Sequence, residues 1–311
     1  MGNRNTFPVS FLTWNIYIGA DVSPLIPNPT PEVVTEVLRQ FLATNFPLRA
    51  QEIVNEIESV QPDIIGLQEV ERLVLQIPEF SDVIYDFVTI LLNALKERGL
   101  HYEVAAQNDN FAAQAPDSNG NTISSIDRDV ILIRKELTFN VINKREANFI
   151  NNLSVGPFVI TRGWSSIDVK SCHRIFRLIN THLEPLDEET RNLQAQEILD
   201  GPANTTIPVI ITGDMNGVPR SLTYDLFIRK GFRDVWSEVG EGLGFTSHQD
   251  PDLLNNISEL SSRIDYIFFK NGWIPLEADL VGEEQSDRTP TGLWASDHAG
   301  VFATLKLNKL Q

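Results

Sequence analysis

The stretch Ile207-Pro208-Val209-Ile210-Ile211-Thr212-Gly213-Asp214-Met215-Asn216 joins an apolar, β-branched run to a short polar segment. The run is typical of a strand buried on both faces, and Gly213 permits a sharp exit or a close backbone approach. Asp214 and Asn216 then place a carboxylate and an amide at the strand end. Such a pair suits a phosphate site, because the acid can hold water while the amide donates to a phosphoryl oxygen. Both residue types are also ordinary turn formers, so the pair alone does not distinguish a phosphate site from a turn.

The composition is that of an ordinary globular protein, with 311 residues, 42% of them hydrophobic and 22% charged. We predict one domain over residues 1–311, because no repeat, low-complexity linker or composition break interrupts the chain. No apolar run is long enough to span a membrane. The single cysteine, Cys172, excludes an internal disulfide. We expect a soluble protein, either cytoplasmic or secreted with its signal peptide removed, and no obligate protein partner is evident.

The net charge of −17 bears on the class of substrate. A protein that binds nucleic acid mainly through phosphate contacts normally carries a basic face, which here would have to be local. An acidic chain is compatible with a site that collects divalent cations through carboxylates. Solubility alone explains the charge equally well.

Hydrophobic periodicity predicts mixed strands and helices along the whole chain. The predicted helices cover residues 47–60, 80–98, 188–200 and 221–230. The predicted strands cover residues 9–15, 64–69, 101–106, 129–134, 137–149, 158–169, 174–182, 207–212, 263–269 and 300–306. Residues 107–125 and 240–262 are rich in turn-forming types and are predicted to be loops.

Several predicted strands end in polar or titratable side chains, and this recurrence is what points to a catalytic site. Strand ends of a sheet-rich fold tend to meet on one rim, so these side chains are expected to lie together. Histidines, carboxylates and amides on one rim favour metal-assisted hydrolysis of a phosphoester. The residues concerned are Asn15, Glu69, His182, Asp214, Asn216, Asp297 and His298.

The same stretches resemble the endonuclease/exonuclease/phosphatase superfamily, in order and in rough spacing over residues 8–306. The similar segments are Trp14-Asn15, Gln68-Glu69, Asn180-Thr181-His182-Leu183, Gly213-Asp214-Met215-Asn216, Arg263-Ile264-Asp265-Tyr266 and Ser296-Asp297-His298. The resemblance implies a four-layered α/β/β/α sandwich like that of pancreatic-type deoxyribonuclease, in which two mostly antiparallel sheets pack face to face between helices. This fits the mixed order of predicted strands and helices.

The resemblance also implies a Mg2+ (or Mn2+) site. Glu69 resembles the principal metal ligand, with Asn15 and Asp297 beside it. A charged carboxylate at the end of an apolar strand is costly unless it is paired or bound to a metal, which agrees with this role.

The resemblance further implies the residues of the chemical step. His298 resembles the general base or proton-transfer residue, and Asp265 its buried carboxylate partner; such a partner fixes the tautomer and raises the basicity of the imidazole. Asp214 resembles the residue that orients or activates the attacking water. Asn216 and His182 resemble donors to the phosphoryl oxygens. The sequence leaves open whether His298 or Asp214 takes the proton of the water.

Two residues have open roles as substrate contacts. Arg162 fits either a contact to the substrate phosphate or a surface ion pair. Asp127 fits either a partner of His182 or the metal, or a solvated turn. It stands with Arg128 and Asp129 where abasic-site endonucleases carry a tyrosine, and this departure argues against abasic-site repair.

We therefore expect a metal-dependent phosphoester hydrolase, and most simply a phosphodiesterase. The alternatives within the superfamily are a non-specific nuclease, a sphingomyelinase-like phospholipase and an inositol-phosphate phosphatase, so the substrate is a nucleic acid, a phospholipid head group or a small phosphodiester. Trp273 and Ile274 fit a strand or a membrane-touching hairpin tip. The alternative outside the enzymes is a binding protein that kept the fold, and it is disfavoured because the superfamily's metal and base positions are intact.

Overall fold

A computed structural model describes residues 8–137, 139–171 and 174–307. Two large sheets pack face to face and helices cover their outer faces, so the predicted four-layered α/β/β/α sandwich is confirmed. Cys172 and residues 1–7 lie outside the described residues. None of the described helices is long and apolar enough to cross a membrane.

The first sheet joins segments from both ends of the chain. Its strands run in the order β15-β16-β1-β2-β6-β3-β4, with β5 also paired to β6. All of these pairs are antiparallel except β1 with β2. The bounds are β1 Pro8–Asn15, β2 Ile64–Gln68, β3 Arg72–Gln76, β4 Val83–Asp86, β5 Tyr102–Pro116, β6 Thr122–Arg134, β15 Trp273–Val281 and β16 Gly300–Leu307.

The second sheet runs in the order β13-β14-β12-β11-β10-β7, and only β11 and β12 are parallel neighbours. A small hairpin of β8 and β9 stands apart from it. The bounds are β7 Phe139–Asn148, β8 Leu153–Val155, β9 Phe158–Ile160, β10 Gly163–Ser171, β11 Arg174–His182, β12 Val209–Asp214, β13 Arg233–Asp234 and β14 Asp265–Lys270.

Three apolar layers hold the sandwich together. Between the sheets, side chains such as Phe11, Phe176 and Trp273 meet edge to face. Helices α1, α2 and α3 cover the first sheet, and α4 and α5 cover the second. The bounds of the helices are α1 Pro31–Ala43, α2 Phe46–Val60, α3 Phe87–Glu97, α4 Glu188–Asp200, α5 Leu222–Arg229 and α6 Val235–Val239.

The predicted helix over 80–98 is wrong in its first turns. Phe80 is 76% exposed and Ile84 is 53% exposed, so neither belongs to the apolar face of the helix. Val83–Asp86 instead pairs with β3, and Asp86 caps the helix that begins at Phe87 by accepting from the Thr89 amide. Pairing with a neighbouring strand outweighed the helical periodicity.

The predicted loop over 107–125 is also wrong. Strands β5 and β6 continue through it as a long hairpin, and only Asp117–Asn121 forms the turn. Its polar residues are extended because β6 pairs with β5 and β3 together. Helix α1 was missed as well; Thr30 caps it, and Pro31 occupies its first turn. Trp273 is 2% exposed, so the membrane-touching hairpin tip is excluded in favour of the strand.

Candidate active site

The rim of the two sheets gathers the predicted site residues because of how the strands pair. Parallel neighbours end on the same side of a sheet, so β1 and β2 carry Asn15 and Glu69 to one edge, and β11 and β12 carry His182 and Asp214. Strand β14 runs antiparallel to β12 and begins at the same edge, where Asp265 lies opposite Asp214. The expectation that strand ends meet on one rim is therefore met.

Gly213 shows why a glycine precedes the acid. A Cβ atom there would lie 2.0 Å from the backbone oxygen of Thr181 on the neighbouring strand, so no larger residue fits without moving the strand. Asn216 adopts a left-handed backbone with φ 48°, and its amide nitrogen donates to Asp214 Oδ1 at 2.9 Å. Its side-chain amide donates to the Leu183 carbonyl at 2.9 Å. The segment is thus a rigid support for Asp214.

Asn15 links two of the carboxylates on the rim. Its Nδ2 donates to Glu69 Oε1 at 3.0 Å and lies 3.3 Å from Asp214 Oδ2, while its Oδ1 accepts from the Tyr17 amide at 3.0 Å. Glu69 Oε2 accepts from the Ile18 amide at 2.7 Å. Glu69 also has a left-handed backbone, with φ 57°, which non-glycine residues rarely adopt outside functional or strained positions.

His298 and Asp265 form the predicted pair, with His298 Nδ1 2.8 Å from Asp265 Oδ2. Trp14 Nε1 holds the backbone of His298 by donating to its carbonyl at 2.9 Å. Burial opposes the charged imidazole, but the carboxylates of Asp265 and Asp297 outweigh it and raise the pKa of His298 well above its ordinary value. The ring is therefore held in one orientation and its basicity is raised.

Asp214 lies between the two histidines. Its Oδ2 is 3.5 Å from His182 Nε2 and 3.9 Å from His298 Nε2. Burial and the nearby Asp265 carboxylate raise the pKa of Asp214 to about 7. A carboxyl group with such a pKa can exchange a proton near neutrality, so the geometry leaves both Asp214 and His298 able to take the proton of a water molecule.

Arg162 and Asp127 lie inside the molecule, which corrects the alternatives of a surface ion pair and a solvated turn. Their side chains are 13% and 14% exposed, and Arg162 Nη1 lies 2.8 Å from Asp127 Oδ2. The same Nη1 lies 3.1 Å from His182 Nδ1. Arg162 thus contacts His182 directly, with Asp127 behind it.

The acidic part of the rim fits a divalent cation. Burial and the neighbouring Glu69 raise the pKa of Asp297 to about 7, although His298 and Arg49 act against this. Among the described residues, neither Asp297 nor Glu69 forms an ion pair with a lysine or arginine, so their charges are poorly balanced. Carboxylate oxygens are the type of ligand that Mg2+ and Mn2+ prefer.

A second group of potential metal ligands lies beside the first. Its members are Asp214, Asp265 and His298, whose potential ligand atoms lie within 4.8 Å of one another. However, Asp265 is already bonded to His298 Nδ1, and a carboxylate on the ring nitrogen is the arrangement of a proton-transfer pair. In the part of the chain that the structure describes, neither Glu69 nor Asp297 is paired with a histidine ring, so these two carboxylates are the better candidates for the metal.

Arg49 is a fully buried arginine beneath the site that was not predicted from the sequence. Its guanidinium donates to four carbonyl oxygens, and it thereby joins the loop after β1 to the segment before β16. Burial lowers the pKa of Arg49 to about 10. No pattern identified it, because an arginine on helix α2 looks like a surface residue. Its acceptors are the backbone oxygens of Ile16, Tyr17, Thr44 and Ala295.

The family model described as "Endonuclease/Exonuclease/phosphatase family" matches residues 12–298. The chain belongs to the endonuclease/exonuclease/phosphatase family. Members of this family are phosphoester hydrolases, which confirms the resemblance and the class of enzyme while leaving the specific activity open. No curated protein matches the sequence.

Solved structures of this family share the fold at low sequence identity. An endonuclease/exonuclease/phosphatase from Bacteroides vulgatus is 19% identical, with 97% of this chain and 100% of that chain covered and a TM-score of 0.64. The mannosyl-6-phosphatase Bt3783 of Bacteroides thetaiotaomicron is 17% identical, with 96% and 99% covered and a TM-score of 0.61. D. rerio TDP2, complexed with a single-strand DNA product, is 20% identical, with 97% and 99% covered and a TM-score of 0.57.

Proposed function

We propose that this protein is a phosphodiesterase that depends on Mg2+ or Mn2+. The observation that carries the proposal is the His298–Asp265 pair, which faces Asp214 on the same rim as the poorly balanced carboxylates of Glu69 and Asp297. A proton acceptor, a water-orienting acid and a cation site on one rim are the requirements of phosphoester hydrolysis.

Each residue has a role in the proposed reaction. Glu69 and Asp297 would hold the metal, with Asn15 beside them, and the bound ion would polarise a phosphoryl oxygen. His298 or Asp214 takes a proton from water as the water oxygen bonds to phosphorus. The bond from phosphorus to the leaving oxygen then breaks, and that oxygen leaves as an alcohol after it gains a proton. His182 and Asn216 donate hydrogen bonds to the phosphoryl oxygens, where negative charge develops.

The substrate class is to be established with a panel of phosphoesters in Mg2+ or Mn2+. The panel comprises plasmid DNA, single-stranded DNA, sphingomyelin, inositol phosphates, a sugar 6-phosphate and a generic aryl phosphodiester. Single-stranded DNA is included because the D. rerio TDP2 structure contains a single-strand DNA product, and the sugar 6-phosphate because Bt3783 is a mannosyl-6-phosphatase. Hydrolysis of monoesters alone would replace the proposed phosphodiesterase by a phosphatase, and hydrolysis of no substrate would favour a binding protein.

Removal of the metal should abolish the activity. We expect excess chelator to reduce turnover to the background rate and added Mg2+ or Mn2+ to restore it, because Glu69 and Asp297 then lack the ion that balances them. The measurement is the initial rate on the best substrate of the panel, with a chelator already saturated by metal as the control. Full activity in excess free chelator would contradict the proposed mechanism.

If DNA is a substrate, its binding should depend only weakly on salt. The net charge of −17 leaves no surplus of cations for a broad basic surface. The logarithm of affinity falls with the logarithm of salt by roughly 0.9 for each phosphate contacted, so a slope reporting about one to three contacts is expected. Titrations of labelled DNA at several salt concentrations measure it, and a slope reporting about six or more contacts would reject this view of recognition.

A further inference from the structure

His182 is nearly inaccessible, and its two ring nitrogens have different neighbours. The residue is 2% exposed. On one side, Arg162 Nη1 lies 3.1 Å from Nδ1. On the other side, Nε2 is directed towards the site and lies 3.5 Å from Asp214 Oδ2. The neighbour of Nδ1 is therefore a group that only donates hydrogen bonds, and the neighbour of Nε2 is one that accepts them.

This arrangement admits one protonation state of the ring. A guanidinium has no lone pair to offer, so Nδ1 must accept from Arg162 and cannot carry a proton. The remaining proton of a neutral imidazole then resides on Nε2. A charged imidazolium would also carry a proton on Nδ1, and that N–H would face an N–H of Arg162 in a buried place. Burial and the Arg162 charge accordingly lower the pKa of His182 well below its ordinary value.

Arg162 is itself held in position from several directions. Asp127 Oδ2 accepts from its Nη1 at 2.8 Å. Its backbone amide donates to Asn152 Oδ1 at 3.1 Å, and its carbonyl accepts from the Phe149 amide at 2.8 Å. Behind the ion pair, Asn110 Nδ2 lies 3.4 Å from Asp127 Oδ2. The guanidinium is thus fixed before any substrate enters.

We propose that Arg162 is a positioning residue, which locks His182 as a neutral imidazole with its proton on Nε2 so that the N–H points into the site. This inference rests on the proposed function, in which the Nε2–H of His182 donates to a phosphoryl oxygen of the substrate. The two histidines of the site then differ in their roles. Asp265 prepares His298 to accept a proton, and Arg162 prepares His182 to donate a hydrogen bond without giving up its proton.

The geometry favours this role over a direct contact to the substrate phosphate. The Nη1 of Arg162 is shared between Asp127 and His182, and the side chain is only 13% exposed. An arginine that binds phosphate would present its planar fork to the cleft. Arg162 instead contacts His182 Nδ1, and it affects the site by orienting that ring.

The decisive measurement is the tautomer of His182, read by 15N NMR of protein labelled at its five histidines. His182→Gln identifies the signals of this ring. In the unaltered protein we expect an unprotonated Nδ1 and a protonated Nε2. Arg162→Lys, which keeps a donor near Nδ1, should preserve this tautomer. A protonated Nδ1 in the unaltered protein would overturn the proposal.

The second arm removes the donor without leaving a lone buried charge. The double variant Arg162→Met with Asp127→Asn should produce a mixture of the two His182 tautomers and lower kcat about 10- to 100-fold, the usual effect of a group that orients an active-site residue. KM should change far less, because the bond to the phosphoryl oxygen strengthens in the transition state. The matched control is Arg177→Met with Asp168→Asn, a pair of similar burial across β10 and β11.

The outcomes separate this proposal from the proposed function. An unchanged tautomer together with an unchanged kcat in the double variant would overturn the role of Arg162. An equal loss of kcat in the control variant would also overturn it, because the effect would then be one of general packing. If no phosphoester is hydrolysed, the proposed function fails, while the NMR spectra still decide whether Arg162 sets the tautomer.

Discussion

Replacement of His298 by alanine is expected to lower kcat by on the order of 10²–10⁴-fold, the usual contribution of general acid–base catalysis. KM should change little, because proton transfer contributes mainly in the transition state. The expectation follows from the position of the ring, with Nδ1 2.8 Å from Asp265 Oδ2 and Nε2 3.9 Å from Asp214 Oδ2. Steady-state kinetics on the best substrate measure both constants.

The alanine variant also leaves Asp265 buried without its partner, so a second variant is needed. Asp265→Asn is nearly isosteric and should preserve the fold, yet it should lose much of the rate because an amide cannot favour the imidazolium as a carboxylate does. His101→Ala is the control, since His101 is exposed and lies just before β5. A well-folded Asp265→Asn protein with a kcat within about 2-fold of the original would remove this pair from the mechanism.

Glu69→Gln should have the second large effect, with kcat reduced on the order of 10²–10³-fold at a fixed Mg2+ concentration. The estimate takes several kcal/mol of charge stabilisation from the metal and about 1.36 kcal/mol for each tenfold in rate. The amide keeps the size of the side chain and one oxygen acceptor but removes the negative charge. We therefore expect the concentration of Mg2+ that gives half-maximal activity to rise together with the loss of rate.

If Glu69 binds the metal, the loss of kcat and the rise in the half-maximal Mg2+ concentration must occur together. A lower kcat with an unaltered dependence on Mg2+ would mean that Glu69 acts on Asn15 or on the loop after β1, whose Ile18 amide it binds at 2.7 Å, and not on the metal. Glu58→Gln serves as the control, because Glu58 forms an exposed ion pair with Arg98 on the helical layer. Thermal unfolding of each variant shows whether a loss of rate reflects a loss of structure.

Local patterns predicted most of the elements that end at the site. The apolar runs before Asn15, Glu69, His182 and Asp214 form buried strands with nearly the predicted bounds, because a strand buried on both faces carries its own signal. Apart from the missed helix α1, the errors lie where pairing with other strands decides the structure. Residues 107–125 look like a loop by composition and are extended because β5 and β6 pair with each other and β6 also pairs with β3.

The sequence by itself therefore determined the candidate chemistry: which carboxylates, histidines and amides follow buried strands, and the family in which that order occurs. Only the tertiary structure decided how these groups act on one another. The pairing of Arg162 with His182 and the four carbonyl contacts of Arg49 join segments that are distant along the chain. Such contacts depend on distance and burial, and a local pattern of residues records neither.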